Sequence, residues 1–239
     1  KIQGWEKDPV FLKYMQHPIF RDLTQKLIGD QVSIYRAMFM NKPPQNGTNL
    51  PYHQDGGSGW GLSSYRANQF VTVWTAIDDA HIENGCVQVI PGSHKLGLLS
   101  DRGHTITEEQ VKEYAPEEKS VYLEAQMGEI FVLHNFLLHK SGINQTNKPR
   151  RGFSVCYMDG TITRINDPNH KFPVLFGENA IKIALKRIIE YFSGVEVSST
   201  SLSILAETNL QLDIDHFSKL INLLPTKPVA PVNKILSVI

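Results

Sequence analysis

Gly128-Glu129-Ile130-Phe131-Val132-Leu133-His134-Asn135-Phe136-Leu137-Leu138-His139-Lys140-Ser141-Gly142 reads as an apolar strand that is entered from a glycine and left through two histidines. Its branched and aromatic residues suit a pleated, half-buried surface. Short runs of the same kind recur along the chain: Val32 to Phe39, Gln69 to Ile77, Cys86 to Ile90, Ser120 to Leu123, Glu129 to Leu133 and Phe153 to Met158. Lys42-Pro43-Pro44, Glu83-Asn84-Gly85 and Pro91-Gly92-Ser93 separate them as turns. Many short strands between turns predict a mainly β fold, a sandwich or barrel, with flanking helices.

Helical spacing appears outside this region. Phe11, Leu12, Met15, Ile19, Leu23, Leu27 and Ile28 lie on one face, and Asp8-Pro9 supplies a cap with proline in the first turn, so one or two amphipathic helices are expected there. The polar stretch 101–118 predicts a surface insertion with a short helix, to which no chemistry is assigned. After Pro173 the pattern turns helical again, over 181–192 and 213–224, before a proline-containing tail. The expectation is a single domain over 1–239, with a β core at about 32–158 and a helical C-terminal region at about 174–239. Those C-terminal helices would brace the sheet or form a homo-oligomer contact.

With 24 basic and 24 acidic residues in 239, the chain has no overall field to draw it onto nucleic acid or an anionic membrane. A small-molecule partner is the expectation, with no nucleic acid and no membrane. No run of about 18 apolar residues occurs, and Lys1-Ile2-Gln3-Gly4-Trp5 has neither a signal peptide's apolar stretch nor an initiator methionine. A soluble, cytoplasmic protein that lacks its true N-terminus is expected. Cys86 and Cys156 each sit in an apolar run and are read as buried free thiols.

The chemistry begins at Pro51-Tyr52-His53-Gln54-Asp55. Residues two apart on a strand point to one side, so His53 and Asp55 could offer an imidazole nitrogen and a carboxylate oxygen to one ion. Alone this pair is a weak signal. A further histidine in the opening stretch completes two histidines and a carboxylate, a set that occupies one face of an octahedral ion, leaves three positions open and suits iron(II) oxygenases. Both His134 and His139 close the apolar run, and both Arg150 and Arg151 open the next strand. Adjacent strand residues face opposite sides, so only one arginine points inward, where its planar fork could grip a carboxylate.

The chain resembles the phytanoyl-CoA dioxygenase family. The resemblance runs from Lys1 to about Met158 through Asn41-Lys42-Pro43-Pro44, His53-Gln54-Asp55, Trp74-Thr75-Ala76-Ile77, Glu83-Asn84-Gly85-Cys86, Val89-Ile90-Pro91-Gly92-Ser93-His94 and His139-Lys140-Ser141-Gly142 to Arg150. It implies a double-stranded β-helix, the cupin-like jelly roll, and an enzyme that uses iron(II), 2-oxoglutarate and dioxygen. By matching position it implies His53, Asp55 and His139 as iron ligands and Arg150, eleven residues past His139, as partner of the 2-oxoglutarate C5 carboxylate. It also implies Ser141 as a second partner there, and Met38, Trp74 and Lys1 as lining of the co-substrate pocket. His134 is then left as a second-layer or core residue, and Arg151 to solvent.

The carboxylate ligand, absent in related halogenases, points to hydroxylation of an unactivated C–H, with desaturation or ring formation as the less common outcomes. The expected substrate is a small specialised metabolite, with an acyl-CoA as the alternative. The neutral chain shows no obvious basic patch near the site for CoA. A non-catalytic jelly-roll binding module is the alternative of another class.

The glycine-rich loop after the ligands makes Trp60 and Tyr65 candidates for substrate contact, on a lid over the site. His94 is read as ordering a turn. His17, His81, His104, His170 and His216 are read as surface residues.

Overall fold

The computed structural model of the chain describes residues 2–45, 48–56, 60–65, 69–100, 105–182 and 235–238. In chain order, strand β1 (Ile2–Gln3) precedes helices α1 (Pro9–Met15) and α2 (Pro18–Leu27), then β2 (Val32–Lys42), β3 (Leu50–His53), β4 (Phe70–Ala76) and β5 (Val87–Val89). Helix α3 (Glu108–Tyr114) leads to β6 (Val121–Leu123), β7 (Ile130–His134), β8 (His139–Ser141), β9 (Arg150–Asp159), β10 (Val174–Phe176) and β11 (Ile235–Val238). The strands form two sheets, one ordered β1-β2-β9-β4-β7-β11 with β10 also on β2, and a smaller one ordered β3-β8-β5-β6. Among the described residues the strand pairings are antiparallel except for β11 on β7.

Period-two alternation assigns each face of the large sheet. Val71 and Val73 of β4, Val155 and Tyr157 of β9, and Ile130 and Val132 of β7 pack outward against Leu12, Met15 and Phe20 of α1 and α2. Trp74, Ala76, Phe131 and Leu133 face inward and meet Val87, Val89 and Leu123 of the small sheet. This is the curled, two-sheet, cupin-like jelly roll that the sequence predicts. Each fully buried aliphatic side chain in these layers stabilises by about 1.5–3 kcal/mol.

Asp8 starts α1 by accepting from the Val10 and Phe11 amides at 2.9 and 3.4 Å, with Pro9 in the first turn. His17 does the same for α2, taking the Ile19 amide on Nδ1 at 3.2 Å. His17, read from the sequence as a surface residue, is half-buried in this capping position. The expected helix in the insertion is α3, and both cysteines are buried free thiols.

The C-terminal expectation is corrected at its two described ends, where 174–176 and 235–238 are strands rather than helix or tail. The helices expected over 181–192 and 213–224 fall almost wholly outside the described residues, as does Lys1. Among the described residues no helix is long and apolar enough to cross a membrane.

Candidate metal and co-substrate site

β3 and β8 are neighbours in the small sheet, with His53 directly opposite His139 and a bulge between that pair and Leu50–Ser141. The two imidazoles therefore stand with centroids 4.0 Å apart. His53 Nδ1 lies 2.9 Å from the Pro51 carbonyl and His139 Nδ1 lies 2.9 Å from the Leu137 carbonyl. A carbonyl only accepts, so each Nδ1 carries a hydrogen, and each ring in its neutral form presents the Nε2 lone pair.

Asp55 lies past the end of β3, beyond the reach of strand alternation. Gln54 fixes the turn: it is fully buried, donates to the Gly97 and Phe136 carbonyls at 2.8 and 2.7 Å, and accepts from the Leu99 amide at 2.8 Å. The Asp55 carboxylate then meets the large sheet, where Arg36 Nη2 of β2 donates to Oδ1 at 2.7 Å and Thr72 Oγ1 of β4 donates to Oδ2 at 3.1 Å. Burial alone would raise this carboxyl's pKa. The positive field of Arg36, with His139, His53 and the Thr72 bond, outweighs burial and holds it well below the usual carboxylate range.

One atom from each of His53, Asp55 and His139 lies within 4.8 Å of the other two, and all three residues are buried. Two neutral nitrogens and one carboxylate oxygen are the donor set of a non-haem iron(II) centre. His134 is not part of it. Its ring accepts from the Phe136 amide at 3.0 Å and packs 5.1 Å from that of His94.

The triad opens onto a cavity of about 240 Å³ that reaches Arg150, and Met38, Trp74 and Ser141 also line it. Arg150 is 2% exposed. Its Nη2 donates to the Gly85 carbonyl at 2.6 Å and its guanidinium lies 5.6 Å from the Trp74 ring. Burial pushes its pKa down to about 10, against the opposing pull of Cys86 and Asp78, so it stays charged at neutral pH.

Arg150 Nε and Trp74 Nε1 are buried donors without an acceptor among the described residues. Leaving such groups unpaired is costly, and a carboxylate arriving in the cavity would satisfy the arginine. Gly152 makes room for Trp74, since a Cβ there would meet the indole at 2.5 Å. Gly85, with φ +74, runs so close to the Gly142 carbonyl that any side chain would collide with it.

A model of the family described as phytanoyl-CoA dioxygenase (PhyH) matches residues 2–152. The chain belongs to the phytanoyl-CoA dioxygenase family. It is 30% identical over 84% of its length to a probable phytanoyl-CoA dioxygenase of Caenorhabditis elegans, of which it covers 67%. It is also 29% identical over 66% of its length to the peroxisomal phytanoyl-CoA dioxygenase of Rattus norvegicus, and there it spans only about half of the relative, 48%. Among solved structures, EctD from S. alaskensis with 2-oxoglutarate and 5-hydroxyectoine superimposes with a TM-score of 0.57 at 21% identity, covering 76% of this chain and 61% of that one. That likeness concerns the fold.

The family dependence on iron and 2-oxoglutarate agrees with the donor set and with the unpaired arginine. Of the residues picked out in the sequence, His53, Asp55, His139, Met38, Trp74, Ser141 and Arg150 gather around one cavity. Trp60 and Tyr65 do not line it. Tyr65 packs on the Phe70 ring, and its hydroxyl accepts the Leu62 amide at 2.7 Å. Trp60 stands behind Arg36, 4.6 Å from its guanidinium.

The sequence showed no obvious basic patch near the site, but Arg36, Lys42 and Lys140 join Arg150 in lining the cavity. The sequence reading missed both partners of Asp55: the one signal for Arg36 is a charge inside the apolar run Val32 to Phe39, and Thr72 left no signal beyond its place in a strand. Arg151 does face away from Arg150, but instead of free solvent it meets Asp78 through two bonds of 2.8 and 2.7 Å.

Proposed function

We propose that this chain is an iron(II)- and 2-oxoglutarate-dependent dioxygenase that hydroxylates an unactivated C–H of a small molecule, as a tailoring enzyme of a specialised metabolite. One observation carries the reading: a buried two-histidine, one-carboxylate cluster shares a cavity with a buried arginine whose Nε lacks an acceptor. His53 and His139 would hold the metal through Nε2 and Asp55 through a carboxylate oxygen. Iron(II) there supplies dioxygen-dependent oxidation, in which substrate, dioxygen and 2-oxoglutarate give hydroxylated product, succinate and carbon dioxide.

The chain's own residues do the positioning. Arg36 and Thr72 hold Asp55 in place, Arg150 and Ser141 receive the far carboxylate of 2-oxoglutarate, and Met38, Trp74 and Leu133 wall the cavity with apolar surface that excludes bulk water. An acyl-CoA remains the second reading, favoured by the basic residues around the cavity. An intact donor cluster argues against a purely binding role.

The test is an anaerobic titration of metal-free protein with iron(II) and then 2-oxoglutarate, following the visible charge-transfer band of the chelate. The band is expected in the parent, lost with Asp55→Ala, and reached only at much higher 2-oxoglutarate with Arg150→Ala. A folded parent that gives no band overturns the proposal.

A further inference from the structure

Two thioethers stand inside the metal cavity. The registers of the large sheet set its inner face in rows. Arg36, Cys156 and Thr72 make one row across β2, β9 and β4, and its outer members, Arg36 and Thr72, hold the Asp55 carboxylate. Met38, Ser154 and Trp74 make the next row, and Met40 lies opposite Gly152 in the one after. Lys42 opposite Arg150 closes the series. Successive rows are two residues apart along each strand, about 7 Å.

A 2-oxoglutarate that runs from the metal residues to Arg150 therefore lies along Met38 and Met40, and Met38 is in the row beside the one that holds Asp55. Both methionines line the cavity, and among the described residues no other sulfur does. Cys156 shares the Asp55 row, but it is fully buried and outside the lining, as is Cys86.

A thioether takes up one oxygen atom to become a sulfoxide, which turns an apolar side chain polar. The function proposed above, on which this inference rests, generates in this cavity an oxidising equivalent able to attack a C–H bond. With the substrate position empty, the exposed sulfur nearest the Asp55 row is that of Met38. We propose that Met38 is a self-oxidation site, converted to its sulfoxide when the enzyme turns over without substrate, and that the sulfoxide weakens 2-oxoglutarate binding.

The step balances with dioxygen and 2-oxoglutarate alone. The O–O bond breaks. One oxygen atom enters succinate as the C1–C2 bond of 2-oxoglutarate breaks and carbon dioxide leaves, and the other forms the S–O bond. Two electrons come from the keto acid and two from a sulfur lone pair, so no proton is gained or lost. The added oxygen brings volume and a dipole to a wall shared with Trp74 and Leu133, where the carbon chain of the co-substrate meets apolar surface. The enzyme thus stops itself when its substrate runs out, and reduction of the sulfoxide restarts it.

The test incubates folded protein with iron(II), 2-oxoglutarate, catalase and isotopically labelled dioxygen, without substrate, and maps oxygen gain by peptide mass spectrometry. Met127 is the internal control. It is more exposed than Met38, which is 4% exposed, and it lies outside the cavity, so oxidation in solution reaches it first. Label is expected at Met38 at about tenfold or more the level at Met127, and only with iron(II) and 2-oxoglutarate both present. Asp55→Ala is expected to leave Met38 unlabelled. The charge-transfer band, measured again without oxygen, is expected to fall as label accumulates and to return after methionine sulfoxide reductase. Met38→Leu is expected to lose several-fold less of its own band over the same incubation.

The proposal is overturned if Met38 stays unlabelled, if Met127 is labelled equally, if Asp55→Ala is labelled like the parent, or if labelling leaves the band intact. Protein that never forms the band sinks the co-substrate reading and this one together, whereas a lasting band with Met38 unlabelled sinks this one alone.

Discussion

His53 and His139 face each other across two antiparallel strands with ring centroids 4.0 Å apart, and the same bond turns each ring, Nδ1 to the carbonyl two residues earlier at 2.9 Å. Local backbone thus fixes both tautomers before any ion arrives. His139→Ala should lower the affinity for Mn(II), a redox-stable stand-in, by about 100-fold or more, whereas His134→Ala should change it little. Electron paramagnetic resonance of free Mn(II) would decide this, and equal losses for the two variants would remove His139 from its assigned place.

Thr72 gives Asp55 its second hydrogen bond, at 3.1 Å. Thr72→Val keeps the volume and deletes the donor, so it should weaken metal binding by about tenfold. Calorimetry with Mn(II) on folded variant and parent measures this directly. An unchanged affinity would show that Arg36 alone orients the carboxylate.

Arg150 and Arg151 are neighbours with opposite duties. Arg150→Lys should raise the KM for 2-oxoglutarate by about tenfold or more, because a single ammonium replaces a planar fork. Arg151→Gln breaks a partly buried pair with Asp78, should cost about 1 kcal/mol of stability, and should leave that KM unchanged. Steady-state kinetics beside denaturant melts would separate the two, and a swapped pattern would reverse the strand facing.

Gly152→Ala places a methyl 2.5 Å from the Trp74 indole, which has to move. The expected cost is about 1–3 kcal/mol, with weaker 2-oxoglutarate binding as the indole is pushed into the cavity. Thermal melts and tryptophan fluorescence would register both effects.

Burial pushes the Cys86 thiol up to about 11, with help from Glu124 and against Arg150, and the Cys156 thiol up to about 12. At pH 8.5 native protein should leave a thiol reagent unreacted, and both cysteines should react once it is unfolded. In the unfolded chain these thiols ionise near 9, so their contribution to stability is complete below that pH and falls away as pH rises through about 11 and then 12. A melt series from pH 8 to 11 in which stability does not fall would contradict this.

The strands of the large sheet were legible in the sequence, because β2, β4, β7 and β9 are runs of branched and aromatic residues bounded by turns, and most of their residues are buried. The strands that hold the two histidines were not. Leu50–His53 and His139–Ser141 are short and half polar, and only their pairing with each other defines them. The metal residues stood out through their types and the family blocks. The partners of Asp55 did not, because Arg36 and Thr72 are far from it in sequence and reach it only once the two sheets face each other. Glu83-Asn84-Gly85 read as a plain turn, yet the Gly85 carbonyl is what holds Arg150.

Asp55 projects from the end of β3 in the small sheet, and its carboxylate is bonded to β2 and β4 of the large one. An ion shared by Asp55, His53 and His139 would therefore act as a removable rivet between the two halves of the jelly roll. By mass action its free energy of binding adds to that of the fold. Iron supply would then govern how long each copy survives proteolysis as well as whether it can turn over, and a chelator would shorten the protein's life as well as silence it.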